Sequence, residues 1–70
     1  MYLGQNYPDR VYGRGKTIDE ARMIAKAESE RRDEPMYIYK HDDIFIVLDD
    51  TGNSHQRVLG NSSLCVEEVV

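Results

Sequence analysis

Apolar residues recur at helical spacing through residues 18–28 and crowd both faces of a strand-like stretch through residues 36–48; these two stretches set the expected fold. Ile18, Ala21, Ile24, Ala25 and Glu28 lie on one helical stripe, with Met23 and Ala27 flanking it. Thr17-Ile18-Asp19-Glu20 has the form of a capping box, in which the threonine hydroxyl accepts from the N–H of Glu20 and the glutamate carboxylate reaches back. Asp19 and Glu20 suit the positive end of the helix dipole, and Arg31 and Arg32 the negative end. Pro35 disfavours helical geometry at Glu34, so the helix is expected to stop near Asp33.

Met36 to Leu48 reads as a hairpin with apolar residues on both faces. A three-residue loop, His41 to Asp43, pairs Tyr39 with Phe45 and Tyr37 with Val47 on one face. Met36, Ile38, Ile44, Ile46 and Leu48 then share the other. A two-residue loop changes the partners, because a one-residue slip exchanges faces, yet both faces stay apolar. Asp49 to Asn53 reads as a turn, His55 to Leu59 as a third strand, and Leu64 to Val70 as a fourth after Gly60 to Ser63. Residues 1–16, with Gly4, Pro8, Gly13 and Gly15 among scattered tyrosines, read as a loose arm holding one short strand near Arg10 to Tyr12. The expected architecture is one small α+β domain over residues 1–70, of order β-α-β-β-β-β, with a single amphipathic helix on a mainly antiparallel sheet.

At 70 residues the chain makes one domain at most, and a domain of that size buries only about 60% of the surface its unfolded chain exposes. A hydrophobic share of 40% against 31% charged places it among globular sequences rather than disordered ones. The lone Cys65 excludes an internal disulfide framework and fits a reducing compartment. No leader pattern stands at Met1, and the longest apolar run, Ile44 to Leu48, is far too short to span a bilayer, so a cytoplasmic chain is expected. The net charge of −4 is unevenly spread: residues 1–16 carry +2, residues 17–34 carry −2 and residues 35–70 carry −4. Nucleic-acid binders show the opposite balance, whereas an acidic face suits a basic partner.

Several segments imitate chemistry. Gly15-Lys16-Thr17 resembles the end of a phosphate-binding loop, and Ile44 to Asp50 an apolar strand ending in acids. The pattern needs glycine at position 10, where this chain has Arg10, and a buried strand where it has Asn6 to Asp9. A capped helix after a glycine turn explains the same residues. His41, Asp42, Asp43, His55 and Cys65 include metal-capable donors without the spacings that bring ligands together, and no metal or cofactor is expected. Asn61-Ser62-Ser63 fits a glycosylation sequon, which matters only in a secreted chain. No serine, cysteine or histidine has a visible base beside it, so no enzyme is expected.

The expected contact surface is the hairpin face of Tyr37, Tyr39, Phe45 and Val47, because aromatic side chains give large contact area with few rotors. One helix covers one face only, which leaves this one to the N-terminal arm, a second copy or a different protein. Asp42, Asp43, Asp49 and Asp50 are expected to rim it. In size and acidic composition the chain resembles the small accessory proteins of bacteriophages, including inhibitors of bacterial defence systems such as anti-CRISPR proteins. That resemblance carries over no residue and implies occlusion of a basic, nucleic-acid-binding surface on another protein. The expected function is thus a non-enzymatic protein-binding module. The alternative is a direct nucleic-acid or anion binder through Tyr7, Arg10, Tyr12, Arg14 and Lys16, the one basic and aromatic stretch.

Overall fold

The computed structural model describes residues 11–70. In chain order these form β1 (Val11–Gly15), α1 (Ile18–Arg32), β2 (Met36–His41), β3 (Ile44–Leu48), α2 (Asp50–Val58), a 3-10 turn (Ser62–Leu64) and β4 (Cys65–Val69). The α+β class and the antiparallel sheet agree with the sequence reading. The order, β-α-β-β-α-β, does not: His55 to Val58 belong to a second helix rather than a strand.

α1 begins and ends where its sequence dictates. The Thr17 hydroxyl accepts from the Glu20 N–H at 3.2 Å, and the Glu20 carboxylate accepts from the N–H groups of Thr17 and Lys16 at 3.1 and 2.7 Å. Asp33 closes the helix in the left-handed conformation, φ +55, two residues before Pro35. The hairpin turn is the two-residue one, Asp42-Asp43, with Asp42 at φ +52, a conformation that aspartate tolerates and that matches strand twist. His41 therefore pairs with Ile44, Lys40 with Phe45, Tyr39 with Ile46, Ile38 with Val47 and Tyr37 with Leu48.

The sheet order is β1-β3-β2-β4, every neighbouring pair antiparallel. β1 and β2 are thus parallel with β3 between them, and β3 and β4 are parallel with β2 between them. Two split β-α-β units share one sheet. Both step the same way across it while their strands run in opposite directions, so right-handed connections require the two helices to lie on opposite faces. The core is divided accordingly. On one face Ala21 and Ala25 of α1 pack on Met36, Ile38 and Val47, with Tyr12, Ile18, Ile24, Phe45 and Val69 around them. On the other Tyr39, Ile46 and Leu48 are buried among Val11, Tyr37, Ile44, Leu64 and Cys65, and α2 lies over them.

Small residues bring α1 down onto the sheet. A Cβ at Gly15 would stand 2.8 Å from the backbone nitrogen of Ala21 and 2.7 Å from Cβ of Glu20. We expect Gly15→Ala to destabilise the fold by ~1–3 kcal/mol, the range for overpacking a site that cannot relax. Urea denaturation measures it; an unchanged midpoint would show that α1 does not approach β1 this closely.

Candidate protein-contact edge

The aromatic face expected from the sequence does not form. The two-residue turn places Tyr37 and Tyr39 on the α2 face and Phe45 and Val47 on the α1 face. Tyr39 and Val47 have 0% exposure, and Tyr37 and Phe45 are half-buried. The Lys40 ammonium sits 5.3 Å from the centre of the Phe45 ring. The four aspartates are also divided: Asp42 and Asp43 are exposed at one end of β3, Asp49 and Asp50 lie at the other. Five strand residues separate the pairs, roughly 17 Å at the rise of an extended chain, so they do not form one rim.

Asp49 and Asp50 serve α2 instead. Asp49, buried, accepts from the Gly52 N–H at 2.7 Å as the helix N-cap and from the Tyr12 hydroxyl at 2.9 Å. Asp50 accepts from the Tyr37 hydroxyl at 3.2 Å. The Tyr39 hydroxyl donates to Asn53 Oδ1 within the core. Gln56, fully buried, accepts from Asn61 Nδ2 at 2.8 Å, tying the helix to the chain that leads into β4. Sequence reasoning missed this buried polar set. Its signal is spacing: Gly52, Asn53 and Gln56 fall on one helical face, but as polar or glycine residues they do not mark a core.

The N-terminal stretch is divided as well. Tyr7 and Arg10 lie outside the described residues. The Tyr12 ring is half-buried, with the Arg32 guanidinium 4.2 Å from its centre, and its hydroxyl is engaged by Asp49, so it is not presented as a stacking platform for bases. Arg14 and Lys16 are exposed. The backbone N–H groups of Lys16 and Thr17, which a phosphate would need, are held by the Glu20 carboxylate. Among the described residues no group of three or more His, Cys, Asp or Glu side chains is placed to hold a metal ion, and no helix is long and apolar enough to cross a membrane. Burial pushes the Cys65 thiol up from its ordinary value, away from the thiolate form that reacts.

What the fold does present is the edge strand β4. Among the described residues no strand lies beyond it, so one side of its backbone faces outward. The pairing with β2 slips between Ile38 and Tyr39, leaving Val66 as a bulge that is 46% exposed, and Val70 just past the strand is 90% exposed. Glu67 points to the α1 face, where Arg22 meets it at 2.9 Å while also reaching Asp19 at 3.2 Å. Glu68 is exposed on the α2 face opposite Tyr37. At the end of β4 an open groove is lined by Ser29, Glu30, Asp33, Glu34, Pro35 and Val70. Two exposed valines, one at each end of the strand, thus stand on this edge with carboxylates between and beside them.

No protein family, curated protein or solved structure matches the chain.

The electrostatics of the buried α2 face give a pH test. Burial first, and the nearby Cys65 second, push the Tyr39 pKa up to about 12. The folded value lies above the unfolded value of about 10, so this contribution to stability is complete below about pH 10 and is lost as the pH rises towards 12. Urea midpoints measured across that window are expected to fall, and to fall less steeply in Tyr39→Phe. Equal slopes would mean that Tyr39 ionises as freely in the folded chain as in the unfolded one.

Proposed function

We propose that this chain is a non-enzymatic protein-binding module whose β4 edge takes up an extended, basic segment of another chain as an added strand. The observation that carries this reading is the outward-facing edge of β4, with Val66 and Val70 exposed along it and Glu68, Glu30, Asp33 and Glu34 close by. An open edge supplies unpaired N–H and C=O groups, which give affinity to any extended chain; the side chains beside it select among chains. Here they select positive charge. The occluding role expected from the sequence thus moves from the hairpin tip to β4: a basic strand or arm held on this edge is withheld from nucleic acid.

A binding role also agrees with how the polar interior is used. Asp49, Asn53 and Asn61 each hold α2 or its flanking turns in place rather than converging on a cleft.

A seven-residue peptide alternating valine with lysine, labelled with a fluorophore, tests the reading by anisotropy and by amide chemical-shift mapping. Binding is expected to move the β4 amides, to weaken as salt is added, and to be lost when glutamate replaces the lysines. Shifts confined to other elements, or no binding of either peptide, would sink the proposal.

A further inference from the structure

The seam between α1 and β4 has two ends, and among the described residues only one of them holds an arginine. At that end Arg22 lies across Glu67 at 2.9 Å and Asp19 at 3.2 Å. At the other lies the open groove, about 310 Å³ in volume, between the last turns of α1, Pro35 and Val70. We propose that this groove takes one arginine side chain of the basic segment bound on β4. The inference rests on the reading of β4 as a strand-accepting edge and names the side chain that fixes where the segment sits.

The groove offers acceptors that nothing in the described chain uses. No hydrogen bond or ion pair engages the side chains of Glu30, Asp33 or Glu34 among the described residues, whereas Glu28 nearby takes both Arg31 at 2.7 Å and Arg32 at 2.9 Å. Glu34 acts on Arg32 only from a distance. A second observation does not depend on charge. Ser29 is buried, with 7% exposure, and lines the groove, yet its hydroxyl is hydrogen-bonded to no described residue. Buried polar groups in folded chains have partners, so a hydroxyl left open toward a groove points to an incoming donor.

The donor has to be extended. Among the described residues the acids do not gather into a group that could hold a metal ion, so a point charge does not meet them all. An ammonium is such a point charge. A guanidinium is planar and carries five N–H donors with no acceptor, so it can fork onto one carboxylate and still donate to the Ser29 hydroxyl. Its methylene stem suits Pro35 and Val70, the apolar members of the lining.

Distances along the seam fix the register. Arg22 to Ser29 covers roughly 10 Å of helix, and Glu67 to Val70 roughly 10 Å of strand. α1 and β4 therefore run side by side in the same direction, with Arg22 at Glu67 and Ser29 at Val70. Side chains of an added strand that point to the α1 face meet this seam in turn. Beside Glu67 an arginine faces Arg22, which already occupies the carboxylate; beside Val70 it faces the open carboxylates of the groove. One position of the segment is thus selected for arginine, and the next position on the same face is selected against it.

The seven-residue peptide alternating valine with lysine, with each lysine replaced in turn by arginine, tests this by anisotropy. Arginine is expected to tighten binding about tenfold at one end of the peptide and to leave it within about twofold at the other positions. Ser29→Ala and, separately, Glu30→Gln combined with Glu34→Gln are expected to bring the ratio of arginine to lysine affinity at that end to about one. The ratio isolates the groove, because lysine and arginine carry the same charge and a general loss of acidity weakens both. Alanine suits a helix interior, and circular dichroism confirms that each variant folds. Equal affinities at every position, a gain shared by all positions, or a ratio that survives both variants overturns the arginine groove while leaving the β4 reading in place. A peptide series that does not bind at all overturns both.

Discussion

The hydrogen bond from Tyr39 to Asn53 is where the second face of the sheet is held closed. β2 and β3 are apolar on both sides, so the chain has to cover them twice, and of the two helices among the described residues only α1 has an apolar stripe with which to do it. α2 reads Asp-Thr-Gly-Asn-Ser-His-Gln-Arg-Val, and its one large apolar residue, Val58, is 86% exposed. It is attached by other means. Gly52 lets the helix backbone settle against Leu48, Asp49 caps it, and Asn53 receives the tyrosine hydroxyl. A buried hydroxyl without a partner costs about 1–3 kcal/mol; the same bond that satisfies Tyr39 therefore ties α2 to the sheet.

This attachment separates what was legible from what was not. α1 could be read almost residue for residue, because capping box, alanine stripe, terminal arginines and Pro35 agree on one answer. The hairpin was legible as a hairpin, but its faces were not: three-residue and two-residue turns both suit His41-Asp42-Asp43, and the choice decides whether Tyr39 shares a face with Phe45 or with Ile46. α2 was illegible because hydrophobic periodicity is the primary signal for a helix, and here the buried positions are glycine, asparagine and glutamine. Reading Asp49 to Asn53 as a turn leaves one apolar face uncovered and gives a contact role to side chains that belong to the core or pack against it.

The edge character of β4 was hidden for a different reason. The strand itself was visible in Leu64 to Val70, but nothing in a single sequence orders strands within a sheet. Its position follows from the second crossover: a helix after β3, on the face opposite α1, carries the chain past β2 to the outside of the sheet. Among the described residues, the same helix that covers the tyrosines thereby delivers an acidic strand to one rim of the sheet, while the first crossover leaves β1 at the other. The acidity of the β4 rim is a product of chain topology acting on the uneven charge along the sequence.

The polar mode of attachment also bears on descent. An apolar stripe tolerates exchange among Leu, Ile, Met and Val, but a cap, a close glycine contact and a buried amide pair each admit few substitutes. In chains that share this ancestry, Asp49, Gly52, Asn53 and Gln56 should change slowly while Thr51, Ser54, His55, Arg57 and Val58, all exposed, drift freely. Kinship would then show first as an Asp-x-x-Gly-Asn-x-x-Gln spacing directly after an apolar strand, in sequences whose hydrophobic profile gives no hint of a helix there.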